Sequence, residues 1–434
     1  MGPGNVLPLV LRIRRSESAW EGQMDLPAHG VFDSTVGLGL LGDSLRIEMG
    51  RLGASFAGVL AAADTVTGTW SQAGLTLPLS LVRQSPDPQR RRPQDPSGVL
   101  PYRVQDVTFR STADSLRISG ILTLPAGAQP RAAVVLLGGS GPQDRDAAIA
   151  GHRPFAVIAD HLARSGIAVL RYDERGVGGS TGDFSTATTL DFADDAQAAV
   201  DFLATHFDVV GSPIGVIGHS EGGIVAPLVA NRSASVSFVV LLAAPGVSMR
   251  EIALAQAGDM TRAQGMSAAW VRDHVAMVEA VFDLFALDLP AMDLAPRIRP
   301  LLERSQADSP WPEPVRSARI DHALATYLSP WAQFAFRYDP GPALRALRVP
   351  VLALNGDLDA QVRAVPNLAA IAAAVADGGS GSAVTAVLPG LNHYFQTAVT
   401  GALDEYATIE ETFAPAALTR ISDWILSVDL VLRR

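Results

Sequence analysis

The chain has 434 residues, 48% of them hydrophobic, and a net charge of -10 at pH 7. This length predicts two or three domains with a large buried core, and the acidic balance argues against a nucleic-acid-binding surface. The chain contains no cysteine and no lysine. Disulfides, thiol nucleophiles, Schiff bases and serine-lysine dyads are therefore excluded.

No apolar run reaches the roughly 18 residues that a membrane span requires. An apolar patch at residues 6–11 has no basic residue before it, which makes a poor signal peptide. We therefore expect no membrane span. The cellular compartment and the formation of a homo-oligomer stay open at this point.

Residues 1–98 differ in pattern from the rest of the chain. Short segments such as 44–49, 54–60 and 65–70 alternate apolar and polar residues between Gly and Asp turns. This alternation predicts a small all-β domain, a barrel or a sandwich. Residues 84–98, which include Arg90-Arg91-Arg92, have the composition of a solvated linker that ends this region.

From residue 99 to residue 245, apolar strands alternate with amphipathic helices. The predicted strands are 104–110, 116–124, 132–137, 167–172, 214–219 and 236–242. The predicted helices are 154–165 and 191–206. The strand at 132–137 is continuously apolar, as expected for a strand buried on both faces. The alternation predicts an α/β fold with a doubly wound, mostly parallel sheet.

Residues 246–346 have helical periodicity and no buried-strand pattern. We interpret them as a helical cap inserted over the site. Strands resume at 349–354 and 383–388, and a final helix covers 414–430. We therefore predict that residues 347–434 form the second part of the α/β core.

A Gly-x-Ser-x-Gly pattern stands where the strand at 214–219 turns into a helix. It reads Gly218-His219-Ser220-Glu221-Gly222. The pattern is typical of a nucleophile elbow, in which glycines let the backbone pass closely and the helix N-terminus favours negative charge. The alternative is an ordinary glycine-rich turn. We predict Ser220 as a nucleophile.

A serine hydroxyl needs a base, and the base needs an orienting acid. Downstream of Ser220, one strand ends in a Gly turn with Asp357 and Asp359, and the next ends in a loop with His393. These residues are candidates for the acid and the base. His219 competes as a base, but a neighbour in the elbow cannot fold back onto the hydroxyl, so we expect it to pack or to hydrogen-bond near the site.

These motifs together resemble the α/β-hydrolase superfamily, and more closely its bacterial EstD-like serine carboxylesterases. The order Ser, Asp, His along the chain is that of α/β hydrolases. The resemblance also covers Gly138-Gly139-Ser140-Gly141-Pro142-Gln143-Asp144-Arg145-Asp146, residues 171–182 (RYDERGVGGSTG), and residues 68–74 (GTWSQAG) with the following Leu77-Pro78-Leu79. It implies an α/β-hydrolase sheet with a helical cap and an N-terminal β domain.

The resemblance also assigns the site residues. In that fold the acid follows a glycine by three residues and precedes an apolar residue by three, so Gly356 and Val362 select Asp359 over Asp357. With Ser220 and His393, Asp359 completes a predicted catalytic triad.

The oxyanion hole is implied to use the backbone amide of Glu221 and one from the loop after Leu137. The family usually has His-Gly where this chain has Gly138-Gly139. By position the second donor is Ser140, with Gly139 or Gly141 next. Because the donors are backbone amides, which alanine retains, the substitution Ser140→Ala is expected to have only a mild effect on the reaction rate.

The resulting hypothesis is a serine carboxylesterase that hydrolyses short-to-medium acyl esters through an acyl-enzyme, with no metal and no cofactor. A prolyl-oligopeptidase-like peptidase or amidase is the first alternative, and a thioesterase or acyltransferase is the second. A ligand-binding or scaffold module is the alternative from outside enzymes. Asp144 and Asp146 could suggest a metal site, but we interpret them as part of an ion-paired loop.

Overall fold

The computed structural model describes residues 9–432, except 16–19, 27–30, 50–53, 73–74, 84–91, 112–115, 128, 264–266, 308–312 and 380–381. The described strands form one sheet of seven strands and one of eight. Most of the predicted linker, with Arg90 and Arg91, lies outside the described residues.

The first sheet is an antiparallel meander in which each strand pairs with the next one in sequence. Along its fourth strand, exposed and buried residues alternate strictly, and Ile47, Met49 and Phe56 pack with Met24 in one small core. The prediction of an all-β region is confirmed, but the described strands form one antiparallel meander sheet and neither a barrel nor a sandwich. The strands are β1 (Val10–Arg15), β2 (Trp20–Leu26), β3 (Val31–Leu41), β4 (Ser44–Met49), β5 (Ala54–Ala62), β6 (Thr65–Gln72) and β7 (Leu75–Val82).

The second sheet consists of β8 (Arg103–Arg110), β9 (Arg117–Leu124), β10 (Ala132–Leu137), β11 (Ile167–Tyr172), β12 (Ile214–His219), β13 (Val236–Leu242), β14 (Val351–Gly356) and β15 (Ala383–Leu388). Their order in the sheet is β15-β14-β13-β12-β10-β11-β9-β8. Strands β10 to β15 are parallel, and β9 is antiparallel to both of its neighbours. The chain crosses from β11 to β12 on the other side of β10, so the carboxyl ends of these strands open a crevice at a switch point.

Helices cover both faces of this sheet. In chain order the described helices begin with α1 (Pro154–Arg164), α2 (Thr189–Thr205) and α3 (Gly222–Arg232). Between β13 and β14 follow α4 (Met249–Ala263), α5 (Ala268–Phe285), α6 (Ala291–Ser305), α7 (Glu313–Leu328), α8 (Pro330–Ala335) and α9 (Gly341–Ala346). The last two are α10 (Ala364–Asp377) and α11 (Pro415–Leu432). None of the described helices has both the length and the apolar character to cross a membrane.

The two faces have separate apolar cores. Residues of α2, α3 and α10 pack in one core, and residues of α1 and α11 pack in the other. The intervening helices have a core of their own, which includes Val281, Phe285 and Leu294. The doubly wound α/β prediction is therefore confirmed.

Two residues of the predicted linker are bound to the α/β unit. The Arg92 guanidinium donates to the carbonyl oxygens of Ala150 at 3.0 Å and Ile409 at 2.7 Å. The Gln94 side-chain amide donates to the Phe413 carbonyl oxygen at 2.7 Å. The prediction that Arg92 is a solvated linker residue is therefore wrong.

Candidate active site

Ser220 occupies the sharp turn between β12 and α3. Its φ is 53°, a left-handed conformation that strains a residue with a side chain. A Cβ on Gly218 would collide with the backbone of Gly222, and one on Gly222 would collide with the backbone of Leu137. The glycines of the motif are thus required by close backbone passage, and the turn presents Ser220 at the carboxyl end of the sheet.

Two of the predicted residues meet on the loops after β14 and β15. His393 Nδ1 lies 2.8 Å from Asp359 Oδ2, and both residues are buried. Because a carboxylate only accepts hydrogen bonds, Nδ1 donates to it, and in the neutral imidazole this leaves the lone pair on Nε2. The other Asp359 oxygen accepts the N–H groups of Gln361 and Val362, each at 2.8 Å. His393 is thereby an imidazole oriented by a fixed carboxylate.

The competing aspartate has a different environment. Asp357 is exposed, and its Oδ1 accepts the backbone N–H of Gly390 at 2.6 Å. This bond ties the turn after β14 to the turn after β15. The structure therefore brings Asp359, and not Asp357, to His393.

His219 joins the elbow to the loop of His393. Its Nε2 donates to the His393 carbonyl oxygen at 2.9 Å, and the two rings are 4.8 Å apart between centroids. Burial, with a smaller contribution from the neighbouring His393, lowers the pKa of His219 to about 3. His219 is therefore neutral at physiological pH and holds the His393 loop beside the elbow, in agreement with the hydrogen-bonding role expected for it.

The two residues assigned to the oxyanion hole are also neighbours. Glu221 precedes the first residue of α3, and the leading N–H groups of a helix have no partner inside it. Hydrogen bonding by the Ser140 side chain lowers the pKa of the Glu221 carboxyl group. The same loop approaches the nucleophile, since a Cβ on Gly139 would lie 3.2 Å from Ser220 Cβ.

The Glu221 carboxylate is buried and has two further donors. Its Oε1 accepts from Thr189 Oγ1 at 2.6 Å and from Trp331 Nε1 at 2.7 Å. Burial raises the pKa of Glu221, while the three donors oppose that rise. Neither of these two partners was predicted from the sequence, because the helical periodicity around Trp331 gives no sign of which distant carboxyl group its indole would reach.

A second acid, Glu174, follows β11 and lines a small cavity together with Glu221, Gly138 and Gly139. Its Oε2 accepts the backbone N–H of Gln143 at 3.0 Å. Desolvation raises the pKa of Glu174 well above its usual range, and the charge of Glu221 adds to the rise. This acid braces the loop after β10, a role that the sequence did not indicate.

The acidic loop that could have suggested a metal site is ion-paired. Asp146 contacts both Arg153 and Arg171, and Asp173 lies 2.6 Å from the Arg145 guanidinium. Asp146 is thus ion-paired as expected, whereas Asp144 accepts the backbone N–H groups of Asp146 and Ala148, each at 3.0 Å. Among the described residues, no group of three or more His, Asp or Glu side chains has an arrangement that could hold a metal ion.

Part of this chain is similar in sequence to known proteins. A family model described as serine aminopeptidase, S33, matches residues 129–298. Esterase EstD of Thermotoga maritima is 36% identical over 135 residues, which are 31% of this chain and 32% of that protein. The match thus spans about a third of the length of EstD. The family model and EstD confirm that the chain resembles α/β hydrolases of the EstD-like group.

Solved structures are more distant. The Pyrococcus furiosus esterase Pf2001 is 17% identical with a TM-score of 0.45, over 77% of this chain and 96% of that one. The dienelactone hydrolase from Anabaena variabilis is 15% identical with a TM-score of 0.40, over 76% of this chain and 98% of that one.

Proposed function

We propose that the protein is a serine carboxylesterase with Ser220 as nucleophile, His393 as general base and Asp359 as the orienting acid. The observation that carries the proposal is the buried His393 Nδ1–Asp359 Oδ2 hydrogen bond on loops that follow β14 and β15. It supplies an imidazole whose free Nε2 can take a proton, and the serine stands on a strained strand-to-helix turn of the same sheet. The similarity to EstD supports an ester as the substrate.

In the proposed mechanism, His393 Nε2 takes the proton of Ser220 as Oγ attacks the ester carbonyl carbon. Asp359 stabilises the imidazolium that forms, and the negative charge moves to the carbonyl oxygen. His393 then returns the proton to the alcohol as its bond to carbon breaks, leaving an acyl-enzyme. Water enters, gives its proton to His393, and releases the carboxylic acid and free Ser220 by the same steps.

The oxyanion of each tetrahedral intermediate is proposed to accept the backbone N–H groups of Glu221 and Ser140. Such donors act in a water-poor site where they need no reorganisation, and loss of one typically costs about 10²–10³ in rate. We further propose that helices α4–α9 form a cap that shapes the acyl pocket. The same proposal divides the chain into a β domain with its linker (1–98), the first part of the core (99–245), the cap (246–346) and the second part of the core (347–434).

The proposed function can be tested with a ladder of nitrophenyl esters, from acetate to long-chain acyl groups. We expect short-to-medium esters to be hydrolysed, and Ser220→Ala to lower kcat by at least about 10³-fold while the fold is retained, since the serine is the attacking group. Circular dichroism of the variant is the control for folding. Unchanged hydrolysis in Ser220→Ala would remove the serine from the mechanism.

A peptidase or amidase is the second candidate, because the family model matching residues 129–298 is described as a serine aminopeptidase. The same triad cleaves amides when the site positions the leaving amine. Aminoacyl anilides assayed beside the esters separate the two candidates. A kcat/KM for an anilide above that of every ester would favour the peptidase.

A further inference from the structure

We propose that Glu221 is a positioning residue whose side chain bridges the two sides of the oxyanion hole and connects them to the inserted helices α4–α9. We call this arrangement the clasp. The inference rests on the proposed function, in which Glu221 and Ser140 give the two N–H donors. These donors come from separate parts of the chain, the start of α3 and the loop after β10. Glu221 lines one small cavity together with Gly138 and Gly139 of that loop, and hydrogen bonding by the Ser140 side chain lowers the pKa of its carboxyl group.

The geometry favours a positioning role over direct contact with substrate. The Glu221 side chain is buried, and Oε1 is already bonded by Thr189 at 2.6 Å and by Trp331 at 2.7 Å. A carboxylate with these partners is held in one orientation. It therefore acts on the reaction through the groups that it holds.

Trp331 extends the clasp to the helices between β13 and β14. It lies in α8, and its ring meets that of Phe336 edge-on at 5.8 Å. Phe336 in turn contacts Phe282 at 4.9 Å and Phe285 at 5.2 Å, both in α5. The indole N–H thus joins an aromatic cluster of the inserted helices to the residue that follows the nucleophile.

A role in spacing the donors has a distinct kinetic signature. The oxyanion exists only in the tetrahedral intermediates and the transition states that lead to them, so a loosened clasp lowers kcat and leaves KM nearly unchanged. Damage to the substrate pocket would instead raise KM. Because Ser140 and Trp331 act through one carboxylate, their effects should not multiply.

The test uses Ser140→Ala, Trp331→Phe and the double variant on a nitrophenyl ester. Trp331→Phe removes the N–H and keeps an aromatic ring, and the matched control is Trp270→Phe in α5 of the same inserted helices. If only the backbone amide of Ser140 were used, Ser140→Ala would have a mild effect. The clasp instead predicts that each single variant lowers kcat by about three- to thirtyfold with KM within about twofold, and that the double variant falls short of the product. The affinity for a boronic acid that forms a tetrahedral adduct on serine should fall by the same factors.

Glu221→Gln is a further test variant, because it retains size but replaces one acceptor oxygen with an N–H₂ group. It should lower kcat at least as much as either partner, with its folding checked by circular dichroism. Unchanged kcat in Ser140→Ala and Trp331→Phe, multiplied effects in the double variant, or a rise in KM alone would overturn the clasp.

Failure of the clasp and failure of the proposed function give different results. A wild-type protein that hydrolyses esters through Ser220, with variants of unchanged kcat, contradicts the clasp alone. A wild-type protein with no activity that depends on Ser220 contradicts both.

Discussion

At the scale of single residues, the two aspartates on the turn after β14 have different environments. Asp359 is buried, and its Oδ2 lies 2.8 Å from His393 Nδ1. Asp357 is exposed, and its Oδ1 accepts the Gly390 N–H at 2.6 Å. The first carboxylate can therefore orient the imidazole, whereas the second joins two turns at the surface.

This difference predicts opposite outcomes for the same substitution. Asp359→Asn should lower kcat by about 10³–10⁴-fold, because an amide can present its N–H₂ group to His393 and favour the wrong imidazole tautomer. Asp357→Asn is the matched control and should stay within a few-fold of wild type, since its amide oxygen can still accept from Gly390. Ester hydrolysis by the two purified variants checks this. Equal losses in both would contradict the assignment of Asp359.

At the scale of elements, His219 connects the elbow to the loop after β15. Its pKa is about 3 in the folded protein against an ordinary value of 6.5. Between these two values the unfolded chain binds more protons at this position than the folded one does. The contribution to the free energy of unfolding is therefore complete above about pH 6.5 and is lost as the pH falls towards 3.

We expect His219→Gln to remove this pH dependence. The stability advantage of wild type over the variant should shrink by at most about 1.4 kcal/mol for each pH unit below 6.5. Urea unfolding of both proteins at several pH values between 7 and 4 measures the difference, and the comparison cancels the groups that the two proteins share. A difference that stays constant over this range would contradict a neutral, buried His219.

At the scale of the whole molecule, the strand and helix order of the α/β unit could be predicted from the sequence, because buried parallel strands are apolar and the helices between them are amphipathic. The elbow could be predicted because close backbone passage requires glycine at Gly218 and Gly222. The pairing of Asp359 with His393 could be predicted through the spacing of the acid that the family resemblance supplies.

Other contacts could not be predicted, for physical reasons. Arg92 bonds to backbone carbonyl oxygens, and such acceptors have no signature in the sequence. Trp331 and Glu221 are far apart in the chain, and helical periodicity shows which side of a helix is apolar without showing what that side meets. Long-range polar contacts of this kind depend on tertiary packing.

The central claim is that Ser220 is a nucleophile activated by His393, and covalent labelling tests it most directly. A fluorophosphonate probe followed by peptide mass spectrometry should place one adduct on Ser220, and labelling should be slowed by at least about 10²-fold in His393→Ala, because general-base catalysis contributes about that much. Ser220→Ala is the control and should carry no adduct. An adduct on another serine, or an equal labelling rate in His393→Ala, would contradict the account.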